Sequence, residues 1–253
     1  MTGQFALLGV LAVTAAGAAP VAFRSTENQV ALLELYTSEG CSSCPPAESW
    51  LSGLKEKPGL WTEFVPVAFH VDYWDHLGWR DKWSNKLFSE RQNDYAGVWK
   101  SDTIYTPEFV LDGKEWHNWL GLRGAPGASG TKPGILQVSS ADNSHWLVNF
   151  TPTMARAQGY EVNAALLISG TSSEVNSGEN SGRHLQHDFV VVELVKHPLV
   201  EKGSDFQGVF NFSPNTNASP GRVGLAAWIT ASGNLTPVQT VGGWLTQKEK
   251  GVR

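Results

Sequence analysis

This sequence is short of cysteine, of charge and of basic clusters, and each shortage closes a class of function. Only two cysteines occur in 253 residues, so no second C-x-x-C follows the first at zinc-finger distance, and no H-x₃₋₅-H does either. Charged residues make up 17%, below the roughly 25% typical of globular domains. With a formal net charge of −5, no Lys/Arg run and no basic helix, nothing calls for a nucleic-acid partner. Beyond the first residues no apolar run approaches the about 20 residues that cross a bilayer. G-x-S-x-G, H-E-x-x-H and G-x-x-x-x-G-K-[ST] are all missing, which removes the local signatures of a nucleophile elbow, a zincin and a P-loop. Tryptophan is what the chain has instead. Six of its eleven lie between Trp50 and Trp99, which reads as an aromatic-rich core, with an apolar groove for a peptide or protein as the alternative.

The chain opens "MTGQFALLGVLAVTAAGAAP", an apolar run leading into small residues around Ala16-Gly17-Ala18. Residues 1–19 therefore read as a secretory signal peptide, although no basic residue precedes the run. Export to a periplasmic or extracellular compartment would permit a disulfide. Residues 28–120 then alternate. "NQVALLELYTSEG" is strand-like, "PPAESWLSGL" helical, "EFVPVAFHV" strand-like, "SNKLFSERQNDYAGVW" helical with Leu87, Phe88, Tyr95, Val98 and Trp99 on one side, and "TPEFVLDGKEW" strand-like. The order β-α-β-α-β predicts an α/β domain. Residues 121–134 carry five glycines and two prolines in fourteen positions, the composition of a linker or exposed loop. Residues 135–253 break into short Val-, Phe- and Trp-rich runs between Gly/Ser/Asn/Pro turns, predicting an antiparallel β-rich domain of sandwich type. Within it "GTSSEVNSGENSG" reads as a mobile hairpin loop, and Arg183, His184, His187 and Asp188 as a polar turn packed on the sheet.

Chemistry is concentrated in "SEGCSSCPPAE". Cys41 and Cys44 follow a strand and open a helix, and Pro45 and Pro46 fit only its first turn. The unpaired N–H groups and dipole of a helix start favour negative charge, so Cys41 reads as the partly ionised, attacking thiol and Cys44 as the resolving one. A purely structural bridge would be a poor staple, because closing so short a loop removes little unfolded-state entropy. A metal reading joins Cys41 and Cys44 to His70, with Asp72 and His76 nearby, a soft set suited to copper or zinc.

The pattern resembles the thioredoxin superfamily. "LLELYTSEGCSSC" is similar to that family's strand and active-site turn, and "YTPEFVLDG" to its cis-proline segment, with Thr106-Pro107 the implied cis bond. With "AFHVDYWD" and "SERQNDYA", the stretch also resembles an exported bacterial thioredoxin-like family catalogued as domain of unknown function 1223. The resemblance implies a thioredoxin-like α/β domain followed by the β-rich domain. It further implies Pro107 as a substrate platform, Thr106 as a backbone partner for an extended client, and Glu34 as the buried acid serving the resolving cysteine. Trp74, Trp79 and Trp116 are candidate apolar walls of the client site by position. The expectation is an exported thiol–disulfide oxidoreductase that needs no cofactor beyond the Cys41–Cys44 couple. It would act on a protein or peptide thiol and on a redox partner, with no stable membrane span once the leader is removed. Two alternatives stand beside it: a periplasmic copper-binding protein or chaperone using Cys41, Cys44 and His70, and a redox-inert scaffold whose second domain carries the activity.

Overall fold

The structure, a computed structural model, describes residues 20–121, 124–127, 129–154, 159–212 and 221–245; the expected leader lies outside them. The strands in chain order are β1 Val21–Arg24, β2 Ala31–Thr37, β3 Phe64–His70, β4 Glu108–Leu111, β5 Lys114–Glu115, β6 Gly134–Ser140, β7 His145–Pro152 and β8 Tyr160–Ser169. They continue as β9 Thr171–Glu174, β10 His184–His187, β11 Val190–Pro198, β12 Val200–Lys202, β13 Asp205–Asn211, β14 Arg222–Ala231 and β15 Pro237–Trp244. Two α-helices stand among the described residues, α1 Pro45–Ser52 and α2 Lys86–Trp99. No described helix is long and apolar enough to cross a membrane.

The expected α/β thioredoxin-like domain followed by a separate sandwich is not what forms. Strand dominates, and one eight-stranded sheet in the order β15-β14-β8-β11-β3-β2-β4-β5 draws its members from both halves of the chain. The junction is β11, which pairs antiparallel with β8 and parallel with β3, Val190 lying opposite Ala68 and the Ala68 N–H donating to Phe189 O at 2.8 Å. The physical reason for the correction is an open strand edge. Local sequence makes β2, α1, β3, α2 and β4, but the unpaired N–H and C=O groups along the outer side of β3 must find partners. Residues more than 100 positions away supply them. A five-stranded sheet, β1-β6-β7-β13-β12, and a two-stranded one, β10-β9, complete the architecture.

Apolar side chains sort by sheet face. The five-stranded sheet packs Trp146, Phe150, Phe206 and Phe210 against Val162, Leu225, Ile229 and Val241 of the large sheet. Each such side chain contributes about 1.5–3 kcal/mol when fully buried. On β2 the period of two sends Leu33 and Leu35 to the cluster under α1, and Leu32 and Tyr36 to the cluster under α2. Helix α2 starts at Asn85, whose side chain accepts from the Leu87 N–H. Its buried face is Phe88, Arg91, Gln92 and Tyr95, at helical spacing. Leu87 and Val98, expected on that face, are instead exposed, because two polar residues, Arg91 and Gln92, take the inward positions.

Candidate functional site

The Cys41–Cys44 segment is a tight turn between the end of β2 and α1. The Cys41 N–H donates to Ser38 O at 3.1 Å, the Cys44 N–H to Cys41 O at 3.2 Å, and the Glu48 N–H to Cys44 O at 3.1 Å. Cys44 caps α1, with prolines in the first helical positions, where a missing N–H costs nothing. Gly40 allows the close approach of the neighbouring loop, since a Cβ there would stand 3.0 Å from Trp74 Cβ. The two cysteines are joined in a disulfide. Cys41 Sγ lies 3.8 Å from Thr106 O, and the Thr106-Pro107 bond is cis. Ser43 Oγ lies 3.4 Å from Cys41 Sγ and donates to Thr106 O at 3.5 Å. Trp74 Nε1–H donates to Thr106 Oγ1 at 2.8 Å, tying the proline segment to the β3–α2 loop.

Cys41, Cys44, Thr106, Pro107 and Trp74 are thus gathered at one place. Trp79 is nearby, donating through Nε1 to Glu39 Oε2 at 2.7 Å. Trp116 is elsewhere, packed on Trp50 and Phe109 in the cluster under α1. Glu34 is not brought to the cysteines. The strand period points it to the α2 face, where it is fully buried and accepts from Arg91 Nε at 2.7 Å, Arg91 Nη2 at 3.0 Å, Tyr95 OH at 2.6 Å and Tyr36 OH at 3.0 Å. Burial pushes Tyr36 and Tyr95 well above the usual tyrosine range, with the Glu34 charge adding to it. Burial works against the Arg91 charge too, but Glu34 outweighs it and holds the guanidinium well above its ordinary value.

The acids beside the disulfide come from other positions. Glu48 sits on α1 four residues after Cys44, on the same helix side. Its Oε1 accepts from Thr37 Oγ1 at 2.7 Å and its Oε2 meets His187 Nδ1 at 2.5 Å. His187 Nε2 stands 3.3 Å from Glu39 Oε1. His70, opposite Thr37 in the β2–β3 register, places Nδ1 2.6 Å from Asp81 Oδ2, which also accepts from the Glu39 N–H at 2.9 Å. The two imidazoles meet edge to face at 5.2 Å. Glu39, Glu48, His70, Asp81 and His187 are all buried. Burial opposes protonation of His187, yet its bonds to Glu39 and Glu48 push it up to about 10. Burial likewise opposes the His70 charge, and Asp81 outweighs it and raises the imidazole. Burial raises both Glu48 and Asp81; the His187 bond lowers Glu48 and the His70 charge lowers Asp81, each ending below the usual carboxylate range. Ligand atoms of Glu48, His70 and His187 all fall within 4.8 Å of one another.

A strap closes the site from above. Residues 175–183 join β9 to β10, and the segment expected to be a mobile loop is pinned across the cysteine turn. Asn180 Nδ2 donates to Glu39 O and to Cys41 O, both at 2.9 Å. The Ser42 N–H donates to Glu179 Oε2 at 3.1 Å, and Ser177 Oγ donates to Gly78 O at 2.5 Å. Gly178, at φ 75°, brings the strap backbone against Trp79 in a conformation that suits glycine. Cys41 and Cys44 are both 0% exposed as a result. Sequence reasoning passed over Glu48, Glu39, Asp81 and Asn180, and read His187 as part of a turn. The available signals were the four-residue step from Cys44 to Glu48 and the polar pair His187-Asp188 entering an otherwise apolar strand.

The family model described as "Protein of unknown function (DUF1223)" matches residues 32–230. No curated protein matches the chain. Among solved structures, protein AGR_C_4864 from Agrobacterium tumefaciens is similar at 21% identity and a TM-score of 0.60, over 89% of this chain and 98% of that one. HBP35 of Porphyromonas gingivalis is similar at 12% identity and a TM-score of 0.55, over 87% of this chain and 76% of that one. At these identities the likeness concerns the fold alone.

Proposed function

The chain belongs to the DUF1223 family, whose description assigns no activity, and from the site itself we propose that it is an exported thiol–disulfide oxidoreductase acting on protein or peptide thiols. The observation that carries this reading is the Cys41–Cys44 bridge at a strand-to-helix turn, with Cys41 Sγ set against the carbonyl of a cis Thr106-Pro107 bond. That local arrangement is of the kind thioredoxin-superfamily sites use. A helix start favours thiolate on the first cysteine, and a bridge of separation three is a weak staple. In the oxidising direction a client thiolate attacks one sulfur of the bridge, a mixed disulfide forms, and a second client thiolate displaces it. The client leaves as a disulfide and the pair leaves reduced, having gained two electrons. In the reducing direction Cys41 thiolate attacks a client disulfide and Cys44 releases the product. A partner thiol resets the pair, so no organic cofactor is required. Both cysteines are covered, so exchange requires residues 175–183 to lift, breaking the Glu179 and Asn180 hydrogen bonds.

The test is the reduction potential of the Cys41–Cys44 pair in a graded thiol/disulfide buffer. The expected value lies between about −120 and −270 mV, the span of working oxidoreductases. A value below about −300 mV marks a bridge too stable to exchange and sinks the reading.

A further inference from the structure

Beneath the disulfide, a buried imidazole, His70, is held on one side and unmatched on the other. Asp81 holds His70 Nδ1 at 2.6 Å, Thr37 donates to Glu48 Oε1 at 2.7 Å, and Trp79 donates to Glu39 Oε2 at 2.7 Å. What is left over is His70 Nε2, sealed from solvent and without a hydrogen-bond partner; His187 Nε2 and Glu39 Oε1 meet each other at 3.3 Å. A buried polar atom left so carries a cost of about 1–3 kcal/mol, and one beside a cluster of carboxylates and a second imidazole calls for an explanation.

Metal-ligating histidines show this division of labour: one ring nitrogen is fixed by a carboxylate and the other faces the ion. The ligand atoms of Glu48, His70 and His187 come from α1, β3 and β10 and stand within 4.8 Å of one another. Donors around a tetrahedral ion at about 2.1 Å are roughly 3.4 Å apart, so an ion would draw the wider separations in and take the place of the Glu48 Oε2–His187 Nδ1 contact, now 2.5 Å.

We infer that Glu48, His70 and His187 form a divalent-cation site of the zinc type, with Asp81 and Thr37 as positioning residues. Two imidazoles with carboxylate, and no thiolate, suit a borderline ion. Copper(I) asks for soft sulfur, and calcium and magnesium ask for oxygen throughout. The ion would tie α1, the end of β3 and the end of β10 together under the cysteine turn. The site needs neither thiol, so it stands independently of the exchange reading.

The experiment uses the full chain with its disulfide oxidised and Zn²⁺ or Co²⁺ alone as the probe. Because residues 175–183 close the site, the ion is offered both to the folded chain and during refolding. The expected result is one ion per chain surviving gel filtration, a raised Tm, and a Co²⁺ spectrum of a low-coordinate nitrogen/oxygen site without a thiolate charge-transfer band. Asp81→Asn should weaken Zn²⁺ binding about 10- to 100-fold, His187→Gln should abolish stoichiometric binding, and the Cys41→Ser/Cys44→Ser double variant should bind as the parent does. Absence of a stoichiometric ion under both regimes overturns the inference, as does a thiolate band, loss of binding in the double cysteine variant, or unchanged binding in folded His187→Gln. Should His187→Gln fail to fold, X-ray absorption on the Zn²⁺-loaded parent decides: two imidazoles are expected, and fewer would reject the site.

Discussion

The two faces of β2 each bury a cluster of charged side chains, and they do so differently. On the α2 face a single acid, Glu34, meets a single cation, Arg91, through two hydrogen bonds, and two tyrosine hydroxyls complete its acceptor capacity. On the α1 face three acids meet two histidines, and His70 Nε2 stays unmatched. The first cluster is closed in charge and geometry, so it reads as a rigid brace within the core. The second is incomplete, lies against the cysteine turn, and is covered by a strap from a distant part of the chain. Saturated networks specify a structure; unsaturated ones beside a reactive group are where function collects.

The sharpest way to break that comparison is to remove the cation of the saturated side. Arg91→Met leaves Glu34 buried without its partner and should cost about 3–5 kcal/mol in urea unfolding, while the Cys41–Cys44 reduction potential stays where it was. A shift in the potential would mean that the two faces are coupled and the division is false. A smaller effect is expected from Thr37→Val, which keeps the side-chain shape and strips Glu48 Oε1 of its donor. Unfolding should become easier by about 1–3 kcal/mol, and here the potential should move, because Glu48 lies one helical turn from Cys44.

The smallest effect concerns Glu108, a buried acid on the α2 side that faces Gln92 and no cation. Burial first, then the Glu115 and Glu34 charges, push its carboxyl up to about 7, against the lowering effect of the Gln92 bond. A raised acid favours the folded state while protonated. Its contribution is therefore complete below about pH 4.5 and is lost as pH rises through about 7. Glu108→Gln should flatten the slope of stability against pH within that window, leaving stability at low pH nearly unchanged. An unaltered slope in a denaturant series at several pH values would show that Glu108 titrates normally.

Much of the site was legible from spacing. A C-x-x-C between an apolar run and a helical run announces a helix-start cysteine pair, while the Thr106-Pro107 segment comes from the resemblance of "YTPEFVLDG" and not from spacing. The buried acid was not legible. Glu34 and Glu48 both lie near the motif in sequence, and only the face of each element separates them: strand alternation turns Glu34 away, and helical spacing turns Glu48 toward His187. Leu87 and Val98 misled for a related reason, since hydrophobicity alone does not show that Arg91 and Gln92 will find partners inside.

By itself the sequence determined the local elements, β2, α1, β3, α2 and β4, and the turn that presents Cys41 and Cys44, because these follow from periodicity, proline placement and capping between near neighbours. The tertiary structure decided the rest. The free edge of β3 is satisfied by β11, which merges the two halves of the chain into one sheet and overturns the expected α/β domain. Residues 175–183 close over the cysteines, and His187 enters beneath them. Those contacts join residues more than 100 positions apart, and no local pattern encodes which distant strand will satisfy an open edge or which distant imidazole will meet a buried acid.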